Sequence, residues 1–140
     1  MSGSRKKPGV SKVTFIGNPP ASFKELWQPL IAWTKNVAEA EGIHVSLLEI
    51  HHHTSGPVKC PLGEAGKDKP TIMLCTYHDD KDTALHELAH VVTAGLHSAE
   101  WSGVFIRMIN KWLSGKDRAR ALYHACRDYR GCAKVVKDGI

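Results

Sequence analysis

Residues 86–90 read His-Glu-Leu-Ala-His, and their spacing constrains the fold more than any other feature of the chain. On an α-helix, residues four apart lie about 6 Å apart along the axis and on one face, so His86 and His90 can direct their imidazole nitrogens at a single point. The surrounding residues favour that helix. Asp79, Asp80 and Asp82 crowd its start, where carboxylates offset unpaired amides and the positive end of the helix dipole. Leu85, Leu88, Ala89 and Val92 supply a core face, and Gly95 is placed to end the helix.

Two histidines in this arrangement are ligands for a metal ion, zinc above all. Glu87 follows the first histidine by one position, from which a carboxylate reaches the open side of the metal and can take a proton from bound water. Zinc's charge lowers the pKa of that water from near 16 toward roughly 7 and polarises a substrate carbonyl. Catalytic zinc sites combine three protein ligands with an open position, so a third donor is required. His97 is the leading candidate, because Gly95 lets the chain leave the helix and fold back beneath the first two histidines. Glu100 is the rival and would otherwise cap the next helix, and an aspartate or histidine from a distant segment is a further alternative. The five-residue motif also arises on ordinary helices, so its weight comes from the cap, the exit glycine and the nearby third histidine.

Elsewhere the chain alternates short strands and helices. Residues 1–11 read as a flexible basic arm, and Lys12 to Ile16 as a first strand closed by Asn18-Pro19-Pro20. Ser22-Phe23-Lys24-Glu25 fits a capping box for a helix running to Gly42, with Pro29 either kinking it or marking a restart. Ile43 to Ile50 reads as a strand, His51 to Lys69 as a long loop or irregular hairpin, and Thr71 to Tyr77 as an apolar strand leading into the motif helix. Trp101, Val104, Phe105, Met108, Ile109 and Trp112 form a helical stripe that reads as core. A last helix is expected over Lys116 to Tyr129, with Ala119, Leu122, Tyr123 and Cys126 inward and Gly131 ending it.

The length of 140 residues fits a single domain, expected over 12–140, and no apolar run approaches the roughly 20 residues that span a bilayer. The N-terminus lacks the pattern of a signal peptide, and a soluble cytoplasmic protein is expected. Cys60, Cys75, Cys126 and Cys132 form no C-x-x-C pair and read as reduced thiols; the alternative, for a secreted chain, is bridges Cys60–Cys75 and Cys126–Cys132. The net charge of +5 is concentrated after residue 110, in Lys111, Lys116, Arg118, Arg120, Arg127, Arg130, Lys134 and Lys137. That basic third can attract nucleic acid or an acidic protein, although a solvated helix face is the commoner explanation.

His86-Glu87-Leu88-Ala89-His90, followed by Gly95, His97, Trp101 and an amphipathic helix, resembles the H-E-x-x-H…H-x-x-x-aromatic pattern of SprT-like and WLM-type zinc metallopeptidases, which belong to the zincins. The match covers roughly residues 71–113. The resemblance implies an α+β, zincin-like fold, with a small antiparallel or mixed sheet packed against the motif helix and further C-terminal helices. It also implies Zn²⁺ on His86, His90 and His97, Glu87 as general base, the preceding strand lining the cleft, and a protein or peptide substrate. The resemblance is to a minimal form, expected without the cysteine zinc ribbon frequent in SprT-like proteins.

The expected function is therefore a zinc metallopeptidase. The alternatives are a metal-dependent nuclease, which the basic C-terminal third would suit, and a non-catalytic zinc-containing module that binds nucleic acid or protein. Tyr77, Tyr123 and Arg118 are candidates to stabilise an oxyanion, with aromatic core as the commoner role of the tyrosines. His51-His52-His53 reads as a solvated loop, with a second metal site as its sharper alternative. His44, His78 and His124 read as surface residues, His78 at the edge of the cleft.

Overall fold

The computed structural model describes residues 9–52, 70–75, 80–93 and 97–139. The early part of the basic arm, His53 and the rest of the expected loop to Lys69, Tyr77, His78, Asp79 and Gly95 lie outside them. Strand β1 (Val13–Ile16) leads into the long helix α1 (Ala21–Glu41), then β2 (Leu47–His51) and β3 (Thr71–Cys75). Helices α2 (Lys81–Val92), α3 (Ala99–Trp112), α4 (Gly115–Asp128) and α5 (Arg130–Lys137) follow. The protein is α+β, as the sequence leads one to expect.

The sheet has the order β1-β2-β3, and both pairings are parallel. Among the described residues the sheet is therefore all parallel, where the family resemblance implies an antiparallel or mixed one. The cause is the length of the connections: parallel neighbours need a crossover of a dozen or more residues, which α1 supplies between β1 and β2. Register places Leu48 beside Ile72 and Ile50 beside Leu74, and all four are fully buried. The residues between them in sequence are partly exposed, so one face of the sheet is apolar and receives the helices. Ahead of β1, Val10 bridges Val45 and Ser11 N–H donates to Val45 O at 2.8 Å, which joins the end of the arm to the sheet.

Helix α1 begins at Pro20, which makes no side-chain cap bond, so Ser22 and Glu25 lie inside the helix and form no capping box there. Pro29 is accommodated within a single helix, and Gly42 ends it in the left-handed conformation (φ 70°). Its last residue, Glu41, is tied to α3. Trp112 Nε1–H donates to Glu41 Oε2 at 2.7 Å, and Arg107 Nη2 and Lys111 Nζ lie 3.1 and 3.2 Å from the carboxylate. Burial opposes ionisation of Glu41, but the hydrogen bonds from Arg107, Trp112 and Lys111 prevail and hold its pKa below the ordinary value.

Helix α2 is buried on every side from Ala84 to Val91, because it packs against β3, α1 and α3 at once. Its apolar stripe is therefore wider than Leu85, Leu88, Ala89 and Val92. It ends at Thr93, whose hydroxyl and amide both bond Ala89 O, at 2.8 and 3.1 Å.

The C-terminal region departs most from expectation. Tyr129 breaks the helical run with extended dihedrals (φ −130°, ψ 115°), and Gly131 sits inside a further helix, α5, where it had been expected to end α4. The inward residues of α4 are Ala121 and Ala125, while Ala119 and Tyr123 face solvent. Gly131 is used for close approach: a Cβ there would overlap the Ser102 hydroxyl of α3. Cys75, Cys126 and Cys132 are free thiols, so no Cys126–Cys132 bridge forms. Among the described residues, no helix is long and apolar enough to cross a membrane.

Candidate metal centre

Helix α2 projects His86 and His90 from one face, one turn apart. His97 stands just ahead of Ser98, which caps α3 by accepting a hydrogen bond from Trp101 N–H at 3.1 Å. Fixing the start of α3 in this way fixes His97 beside α2. His90 Nε2 and His97 Nε2 lie 3.2 and 3.3 Å from His86 Nε2, and the ligand atoms of all three residues fall within 4.8 Å of one another.

Those separations can be tested against an ion. Zn–N bonds of about 2.0–2.1 Å in tetrahedral geometry place ligand nitrogens about 3.3–3.4 Å apart. Two of the three nitrogen pairs meet that spacing, and three imidazoles are a donor set zinc favours, so the residues present fit the ion. The sequence left His97 and Glu100 as rivals. The structure brings His97 into the group, while Glu100 is exposed in the first turn of α3.

The walls around the histidines are aromatic. Trp101 is fully buried and its indole N–H donates to His86 O at 3.3 Å. Its ring lies 4.8, 5.1 and 4.5 Å from the rings of His86, His90 and His97. Trp101 is thus core, as its helical stripe indicates, and is also the surface against which all three imidazoles rest. Phe105 follows one turn later, 5.5 Å from the His86 ring. His86 and His90 are each 9 % exposed, and His97 is the most open of the three. Desolvation of its ring lowers the pKa of His97, which favours the neutral, ligating form.

Glu87 is 2 % exposed, and its Oε2 lies 4.0 Å from His86 Nε2. Burial pushes its pKa up to about 7. A cation held by the histidines would draw that value back down. Glu87 and His86 line a cavity of about 300 Å³ that also takes in Asp82, Phe105, His124 and Tyr129. Burial and the charge of Asp80 raise the pKa of Asp82 at its rim.

Tyr129 is the residue that sequence reasoning missed. Its ring is 4.4 Å from that of His97 and 5.6 Å from that of His86. Burial, then the nearby Asp128, Cys132 and Glu87, raise its pKa. The chain offered little signal, because Tyr129 reads as the tail of a helix until α5 is seen to follow it. Of the earlier candidates, Tyr123 is 65 % exposed and packs on His124, Arg118 is exposed, and neither lines the cavity. Tyr77 lies outside the described residues. His51 pairs with Glu49 at 3.1 Å and the His52 ring meets Phe23 at 4.2 Å, both away from the three-histidine group.

No family model matches the chain, and no curated protein matches it in sequence. Its structure does find a counterpart: a crystal structure of a Wss1 mutant from Saccharomyces cerevisiae superposes with a TM-score of 0.55 at 16 % identity. The chain is similar in fold to Wss1. The likeness covers 77 % of this chain and 93 % of the Wss1 chain, so nearly the whole of that chain has a counterpart here. At this level of identity, the similarity to Wss1 speaks for the fold, and the chemistry has to be argued from the residues.

Proposed function

We propose that this protein is a zinc-dependent peptidase in which His86, His90 and His97 hold the ion and Glu87 is the general base. The observation that carries the proposal is the convergence of three imidazoles, two of them with nitrogens 3.2 and 3.3 Å from His86 Nε2, close to the spacing of ligands on a tetrahedral ion, beside a buried carboxylate. The fold likeness to Wss1 and the motif's resemblance to SprT-like and WLM-type zinc metallopeptidases support the same reading.

Zinc held there supplies a positive charge that acidifies water and polarises the scissile carbonyl. Glu87 accepts one proton from the attacking water as its oxygen bonds to the carbonyl carbon. It then returns that proton to the amide nitrogen as the C–N bond breaks, leaving a carboxylic acid and an amine. The position of Glu87 beside His86 suits both steps, because one carboxylate there can reach the water on one side and the leaving nitrogen on the other. Trp101 and Phe105 exclude water from the back of the histidines, and the cavity beside Glu87 leaves room for substrate on the front. Protein or peptide is the proposed substrate class, and the proposed catalytic unit is the zincin-like domain of residues 12–140.

Incubation of the zinc-loaded protein with casein and with RNA, each with and without chelator, tests the proposal. Chelator-sensitive cleavage of casein alone is expected, with Glu87→Gln keeping its zinc and losing cleavage. Cleavage of RNA alone, or undiminished cleavage of casein by Glu87→Gln, would contradict it.

A further inference from the structure

We infer that Tyr129 is a second catalytic residue of this centre, its phenol hydroxyl donating a hydrogen bond to the substrate carbonyl oxygen as that oxygen becomes an oxyanion. The inference rests on the peptidase reading above and adds to it a residue that neither the motif nor the resemblance supplies.

Three backbone hydrogen bonds fix the position of Tyr129. Its N–H closes α4 on Ala125 O at 2.9 Å, and its carbonyl opens α5 by accepting from Cys132 N and Ala133 N at 3.1 and 3.2 Å. The extended dihedrals between the two helices turn the side chain out of the helical path and toward the histidines. There the ring is held from two sides, tilted by 40° against His97 and edge-on to Trp101 at 5.1 Å. α5 is itself locked to α3, where Gly131 lies against Ser102. The Tyr129 ring is thus held by both the helix junction and the His97 and Trp101 rings.

The hydroxyl has a chemical opening beside it. Tyr129 lines the same cavity as His86 and Glu87, reaching it from the α4–α5 junction while Glu87 reaches it from α2. Among the described residues, its hydroxyl makes no hydrogen bond, although a partly buried phenol normally finds a partner. A phenol is protonated at neutral pH, so it is available as a donor where negative charge develops. In the ground state the carbonyl oxygen is a weak acceptor. The bond strengthens as the oxygen gains charge, which is the condition for lowering a barrier.

Tyr129→Phe removes the hydroxyl and keeps the ring on His97 and Trp101. Loss of one oxyanion donor is expected to lower kcat by about 100-fold or more, with KM little changed. Zinc content and Tm should match the wild type. A phosphinic peptide, which mimics the tetrahedral anion, should bind the zinc-loaded variant more weakly by a similar factor, while a cleaved product peptide binds as before. Tyr123→Phe, altered on an exposed ring, should change none of these. Wild-type kcat and wild-type phosphinic-peptide affinity in Tyr129→Phe would overturn the inference and leave the peptidase reading standing. Loss of zinc or a lowered Tm in Tyr129→Phe would also overturn it, by showing that the hydroxyl serves the architecture of the site. Absence of peptide hydrolysis by the wild type would remove both readings together.

Discussion

The indole of Trp101 lies almost parallel to the imidazole of His90, with ring centroids 5.1 Å apart and planes inclined by 21°. The same indole bonds the backbone of His86 and meets the ring of His97 edge-on, so a single fully buried side chain sets the orientation of all three imidazoles. Partners behind metal ligands typically alter affinity by about 10–100-fold when removed. Trp101→Leu should weaken zinc binding by that order in a chelator competition, and Trp101→Phe, which keeps an aromatic surface and loses the N–H, should weaken it less. Unaltered affinity in Trp101→Leu would show that the histidines orient themselves without this wall.

Glu41 predicts a pH dependence of stability. Its side chain is 7 % exposed and gathers Arg107, Lys111 and Trp112, with its pKa held below the ordinary value of 4.5. A carboxylate with a depressed folded-state pKa stabilises the fold above its unfolded value, and that contribution is lost as pH falls through the folded one. Glu41→Gln should therefore cost about 1–3 kcal/mol at pH 7, in the range for hydrogen bonds to a charged group and reduced by the exposure of the two cations. Urea unfolding at successive pH values should show the gap between wild type and variant closing in the acid range. A gap that stays constant with pH would mean that the charge of Glu41 is not what links α1 to α3.

Gly131 makes a separate prediction about packing. A methyl group there meets the Ser102 hydroxyl inside the α3–α5 contact, where overpacking costs about 1–3 kcal/mol. Gly131→Ala should lower Tm, and adding Ser102→Ala, which removes the overlapping oxygen, should recover part of the loss. A Gly131→Ala protein that melts at or above the wild type would contradict the close approach.

The part of the site carried by α2 was legible in the sequence because helical geometry converts spacing into direction: His86, Glu87 and His90 need no tertiary information to be placed together. His97 was legible because it follows His90 closely in sequence. Tyr129 was not, because its place depends on a break between α4 and α5 that carries no proline, and on a glycine, Gly131, whose use in packing α5 on α3 looks in sequence like a helix stop. The capping box at Ser22 failed for a related reason. Proline at position 20 is compatible with a helix start, and local hydrogen-bonding preference yielded to the register of the whole helix. The parallel pairing of the described strands goes with their long connections, where the resemblance implies an antiparallel or mixed sheet. Burial around the whole of α2 is a tertiary fact that a one-sided apolar stripe understates.

The central claim is that His86, His90 and His97 hold one zinc ion. X-ray absorption at the zinc edge, on protein loaded with an equimolar amount of the metal, tests it most directly. The account predicts tight, equimolar binding with three imidazole nitrogens at about 2.0–2.1 Å, falling to two imidazoles in His97→Ala. Failure to retain zinc, or an imidazole count that His97→Ala leaves unchanged, would contradict it.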